Sequence, residues 1–351
     1  MAEPFDQPTV RLIKSQRGGD KLFESGSFFG VQRRVADVTY WLCEQRGVCK
    51  ARVHTKGMVI VKRTNEHSHG PDDVILQTIK QHVVSVMLVS PDIVQKQISD
   101  AISIIGKRDF PKDWSGLLGE LTSKLQSGDF HAINGALQTA HSLFKKYRYE
   151  IKNQTLWEEI KFVLENFADP FTNLFVTTIE LCQTHKEDIK VISILYESVL
   201  LCTKIFHSLN YQELPDHFEE NMQVWMEIFH QLLQLENQLV ETDIDTEVGV
   251  LQLIKSQVCD NVALYAQKFD EDFKDYLPRF VEDIWTLLVS TGLKAKYDIL
   301  MCNAIDFLAR VAEKNTYKSL FEGEGILLTI CSQVTVITLL GLLLNLEEGK
   351  G

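Results

Sequence analysis

The sequence predicts a mainly α protein: an α-solenoid of paired helices preceded by a small β module. Residues 8–63 fall into short runs rich in Val, Ile, Phe, Tyr and Thr, with turn signals at Gly18-Gly19, Gly26, Gly47 and Gly57 between them. From Asp73 onward, segment after segment carries apolar residues at i, i+3, i+4 and i+7, the spacing of one helix face. Charge changes with the texture. Residues 1–73 hold 12 Lys+Arg and 9 Asp+Glu and the remainder 24 and 39, within a net charge of -12.

The β module is read run by run. TVRLIKSQ, KLFESG, FFGVQRRV, TYWLCEQ and ARVHTKGMVIVKR each have strand composition, the last with Gly57 as a turn signal inside it. The switch to helix falls at Gly70-Pro71-Asp72-Asp73, where a proline and an acidic pair suit a first helical turn. ILQTIKQHVVSVML, DIVQKQISDAISII, DWSGLLGELTSKLQ and FHAINGALQTAHSLFKKY follow, broken at Ser90-Pro91, at Lys107–Pro111 and at Ser127-Gly128-Asp129. Longer helices are predicted over 155–168, 172–185, 187–209, 217–238, 247–268, 275–291 and 295–313. Helices with broad apolar faces and short turns bury those faces by stacking on neighbours. This predicts HEAT-type repeats of roughly 40–47 residues, with a compact bundle as the alternative. The expected domains are 8–72, 74–331 and a divergent apolar tail, 332–351.

Composition narrows the function. At 45% hydrophobic and 24% charged residues, the chain is an ordinary folded protein. Cys43, Cys49, Cys182, Cys202, Cys259, Cys302 and Cys331 are odd in number and widely spaced, unlike a disulfide framework, and suit a reducing compartment. MAEPFDQPTV lacks a secretory pattern. No Gly-rich phosphate loop, nucleophile elbow or H-E-x-x-H motif occurs, so no enzyme is expected. Cys182 and His185, spaced i, i+3, read as a core cysteine and an end-of-helix histidine, and His131 and His141 as ordinary structural histidines.

The head carries one metal-type constellation. Cys43, Cys49, His67 and His69 have the spacing C-x5-C-x17-H-x-H. A turn at Glu44–Val48 can fold the cysteines together, and residues two apart in an extended segment share a face. Cys2His2 is a closed tetrahedral set, so the expected Zn2+ is structural and not catalytic. Phe28-Phe29, Tyr40-Trp41-Leu42-Cys43, Cys49-Lys50-Ala51-Arg52-Val53-His54-Thr55 and His67-Ser68-His69 resemble the FLYWCH zinc-finger family over about residues 10–70. That resemblance implies a zinc-stabilised β module used for DNA or protein contacts. Arg33, Arg34, Arg46, Lys50, Arg52, Lys56, Lys62 and Arg63 offer it a basic surface, which is either a phosphate contact or a solvated face.

The helical part resembles the exportin-2 family of nuclear transport receptors, from about Val74 to Cys331. The resemblance rests on SPDIVQKQISDAISIIGKRDFPKDW, LQSGDFHAINGALQTAHSLFKKYRYE, HSLNYQELPDHFEENMQVWMEIFHQLL, VCDNVALYAQKFDEDFKDYLPRFVEDIWTLLVSTG and KYDILMCNAIDFLA. Asp109-Phe110-Pro111 ahead of Trp114 also resembles a motif of importin-β-type repeats. The family implies a HEAT-repeat scaffold that carries importin-α out of the nucleus with the GTPase Ran, hence nucleus and cytoplasm. Its array also has repeats on both sides of the matching stretch, so partial transport competence is expected. Asp243, Asp245, Glu247, Asp270, Glu271, Asp272 and Asp275 would suit a basic partner, or serve only solvation and capping. The alternative function is a DNA- or protein-binding regulator that uses the array to recruit partners. Residues 326–344 carry no charge and read either as a membrane anchor or as an interrupted repeat.

Overall fold

The structure, a computed structural model, describes residues 11–14, 19–24, 27–44, 49–67, 73–242, 244–291, 294–314 and 317. The chain forms two units, Met1–Val83 and Val84–Gly351. The division passes through helix α1 (Asp73–Val89), whereas the sequence texture changes just ahead of it.

In the first unit, β1 (Arg11–Lys14), β2 (Asp20–Glu24), β3 (Ser27–Val35), β4 (Val38–Cys43), β5 (Arg52–Lys56) and β6 (Val59–Thr64) form an antiparallel meander in chain order. Strand alternation puts Phe29, Trp41, Cys43 and Val53 into one buried cluster, which Leu22, Cys49 and Ala51 complete. Trp41 donates its indole N–H to Thr55 Oγ1 at 2.8 Å, so burying the ring leaves no polar edge unsatisfied. Arg63 on β6 donates to buried Glu24 on β2 at 2.6 Å. In a flat sheet these strands would lie about 19 Å apart, so the meander is curled. The run 51–63 becomes a hairpin that turns at Gly57, whose φ of +61° favours glycine.

The second unit is helical. After α1 come α2 (Asp92–Asp109), α3 (Gly116–Lys124), α4 (Phe130–Phe144), α5 (Gln154–Thr184), α6 (Ile189–Asn210), α7 (Asp216–Glu220), α8 (Met222–Gln234), α9 (Val250–Lys268), α10 (Asp270–Phe273), α11 (Leu277–Ser290) and α12 (Asp298–Glu313). Helices α2, α4, α6, α9 and α12 pack in succession as one layer. In the other, α3 packs on α5 and α8 on α11, with α7 between α5 and α8. This is a solenoid of helix pairs.

Side chains to carbonyls tie the first layer together. Asn134 on α4 donates to Ile194 O at 3.2 Å, Asn261 on α9 to Thr203 O at 3.0 Å, and Asn303 on α12 to Ser256 O at 3.1 Å. Each satisfies a buried or half-buried amide while fixing one helix against the next. Phe175, Phe206, Trp225 and Phe229, all buried, meet where α5, α6 and α8 come together, Phe175 stacked on Trp225 and Phe206 edge-on to Phe229. The predicted breaks have local causes. Asp129 accepts from His131 N and Ala132 N and caps α4, and Asp188 caps α6 the same way.

Two expectations need correction. The helices predicted over 155–168 and 172–185 are one helix, α5, with Pro170 inside it. Proline lacks the N–H that would bond the carbonyl four residues back. That carbonyl, of Asn166, instead accepts from Thr122 Oγ1 on α3 at 3.5 Å. The repeat length also differs. First-layer helices begin at Asp92, Phe130, Ile189, Val250 and Asp298, so the spacing is uneven: shorter than the expected ~40–47 residues at the first step and longer at the middle two, where α5 and α6 run to 31 and 22 residues.

Candidate functional site

The end of β4 and the segment leading into β5 build the head's metal-type cluster. Cys43 N donates to Ala51 O at 3.0 Å and Glu44 N to Phe28 O at 3.0 Å, which pins both sides of the connecting turn. Cys43 and Cys49 are buried and His67 half-buried, and their ligand atoms lie within 4.8 Å of one another. Cys49 Sγ stands 3.4 Å from His67 Nδ1. A zinc ion with Zn–S near ~2.3 Å and Zn–N near ~2.0 Å in a tetrahedron separates its sulfur and nitrogen by about 3.5 Å, so the donor set fits. Ala51 N donates to Cys49 Sγ at 3.5 Å, a contact that favours thiolate charge. Phe29 meets the His67 ring edge-on, with centroids 5.1 Å apart, and holds its orientation. His69 lies outside the described residues.

Pairing divides the expected basic surface. Arg34 bonds Asp20 at 2.8 Å, Lys56 bonds Asp37 at 2.6 Å, and Arg63 is held by Glu24. Arg33 lies over the Tyr40 ring at 4.4 Å. Cross-strand register continues that row through His54 and Lys62 on one face of the sheet. Burial, then Lys62, Arg33 and Arg52, push the His54 pKa down. Arg46 lies outside the described residues.

On the helical unit, the acidic positions expected at junctions are partly spent within the chain. Asp245 bonds Lys294 at 2.9 Å and its carbonyl accepts from Lys296 N at 2.8 Å. Lys314 reaches Asp270 at 3.5 Å. Glu271 and Asp272 sit in the first turn of α10, and Asp243 lies outside the described residues. Cys182 is buried and its thiol is pushed up to about 12 by burial, as suits a core cysteine. It borders a groove of about 450 Å³ with Ile179, Tyr196, Leu232, Leu235 and Leu239. Periodicity gives no sign of that groove, because it forms between α5, α6 and the segment after α8. Cys331 and the run 326–344 lie outside the described residues. Among the described residues no helix is long and apolar enough to cross a membrane.

The comparisons bear on both units. The family model described as Cse1 matches residues 143–341. The chain belongs to the Cse1 family. It is 58% identical to Exportin-2 of Homo sapiens and of Danio rerio over 258 residues, and 57% identical to that of Xenopus laevis over the same length. Each of these matches covers 74% of this chain and 27% of the relative, so the chain spans about a quarter of the length of the relatives it matches. A solved structure of the exportin Cse1 in its cargo-free, cytoplasmic state aligns with TM-score 0.72 and 34% identity, covering 77% of this chain and 29% of that one. A second family model, the FLYWCH zinc finger domain, matches residues 12–69. The helical unit is thus a nuclear transport receptor-like scaffold.

Proposed function

We propose that the helical unit binds importin-α, with weak or absent help from Ran-GTP, and that the protein works in nucleus and cytoplasm. The observation that carries this is the match to Exportin-2 at 58% identity over 258 residues. The helical part holds 24 Lys+Arg against 39 Asp+Glu, a charge of -15, and steers a basic partner toward it. Affinity below that of a full-length receptor follows, because a solenoid gathers contacts along its length. The test is retention of purified importin-α by the immobilised chain, with and without Ran-GTP, at two salt concentrations. Retention that weakens with salt supports the reading, and none at low salt removes it.

In the head, Cys43, Cys49 and His67, with His69, would hold Zn2+. Bound zinc would supply a cross-link between the β4 end, the segment leading into β5 and the chain beyond β6, and no reaction step. Phe29 and Ala51 orient the ligands from the protein side. A second reading, contact of the head with DNA or protein, is favoured by the FLYWCH match and by the exposed Arg52 and Lys62 beside Arg33. Salt-sensitive retention on DNA by the full chain, ahead of importin-α retention, would favour it.

A further inference from the structure

The helical unit is acidic in sum, yet one part of it concentrates positive charge. Lys145 and Arg148 follow α4, Lys204 projects from α6, and Lys268 ends α9. Arg148 is locked in place: Nε donates to Ser208 Oγ at 3.0 Å and Nη2 to Lys204 O at 2.8 Å. Lys268 sits over the Tyr211 ring, one turn beyond His207 on α6, with its ammonium 3.8 Å from the centroid. It also donates to the Tyr211 carbonyl.

Carboxylates offset this group only in part: Asp260 faces Arg148 and Glu197 faces Lys204. Among the described residues, Lys145, Arg148, Lys204 and Lys268 form no ion pair. Asp260, which faces Arg148 electrostatically, also bonds His207 at 3.2 Å and Gln257 at 3.1 Å. Glu197 faces Lys204 from α6 but bonds Lys96 at 3.5 Å. Burial first, then Arg148, Lys145 and Lys96, work against the Lys204 charge. His141 on α4 feels the same cations and is neutral, and its buried Nδ1 has no hydrogen-bond partner.

Half-buried Arg148 and Lys204, flanked by exposed Lys145 and Lys268, put more positive than negative charge on this face, which an arriving anion offsets. The net negative unit around them repels long polyanions. A short carboxylate-bearing segment meets the patch without exposing many negative charges to the rest. We propose that the face formed by Lys145, Arg148, Lys204 and Lys268 docks an acidic peptide segment of a partner protein. This surface is distinct from acidic surface that would receive a basic partner.

The test titrates the full chain against a fluorescein-labelled oligo-glutamate peptide at low salt and reads anisotropy. Saturable binding is expected. Lys145→Glu with Lys268→Glu, both exposed positions, should weaken it roughly 10-fold, whereas the exposed Lys190→Glu on α6 should leave it unchanged. Circular dichroism shows that the variants remain folded. Lys204→Gln serves as an independent variant that removes the central charge without reversing it. Absence of saturable binding, equal binding by the double variant, or tighter binding of labelled oligo-thymidine than of the peptide would each overturn the proposal.

Discussion

The Thr122 hydroxyl on α3 donates to the Asn166 carbonyl on α5 at 3.5 Å, the carbonyl that Pro170 leaves without its usual amide partner. One side chain from a neighbouring helix thus lets a proline sit within a 31-residue helix. Thr122→Val should cost about 0.5 kcal/mol, the low end for a single hydrogen bond, since the contact is long and solvent reaches it. With Pro170→Ala in place, the amide returns and the same substitution should cost less. A double-mutant cycle of urea midpoints checks this. Equal costs in both backgrounds would show that the bond compensates for nothing.

The pH dependence of stability should carry the signature of His141. Burial, reinforced by Lys204, Arg148 and Lys145, pushes its pKa down to about 3 from 6.5. Between those values the unfolded chain binds a proton that the folded chain does not. Stability is therefore full above pH 6.5 and falls as pH drops toward 3, by up to about 1.4 kcal/mol per pH unit from this residue. His141→Gln should flatten the loss between pH 6.5 and 5 by roughly 1–2 kcal/mol. His217, held low mainly by burial, contributes in the same direction, so the comparison must be wild type against variant. Parallel pH curves for the two proteins would contradict the assignment.

Much of this architecture is legible in the sequence because its causes are local. Asp129 and Asp188 cap the helices that follow them, and Gly57 marks its turn by a positive φ. Pro170 misleads because its compensation comes from Thr122, 44 residues away. The cysteines and histidines of the head stand out by spacing alone. What spacing does not reveal is which cations are spent on Glu24, Asp20 and Asp37, since those pairs depend on how the sheet curls. The cationic face at Arg148 and Lys204 is hidden for the same reason. Its members come from three helical segments, and the charge of the surrounding unit has the opposite sign.

The head should depend on zinc. One zinc per chain is expected by elemental analysis, and Cys49→Ala should abolish it. Replacement by cobalt should give the visible absorption of a tetrahedral thiolate site, lost on adding a chelator. A cobalt spectrum without sulfur charge-transfer bands would mean that Cys43 and Cys49 are core residues only.

The central claim is that this segment of a Cse1-type array, about a quarter of its relatives' length, retains a partner surface. The most direct measurement is an equilibrium titration of purified importin-α into the full chain, with Exportin-2 as reference and Ran-GTP present or absent. Saturable, salt-sensitive binding is expected, far weaker than that of the reference and little changed by Ran-GTP. Tight, Ran-enhanced binding would contradict the view that affinity is spread along the whole array, and no binding at low salt would contradict the claim itself.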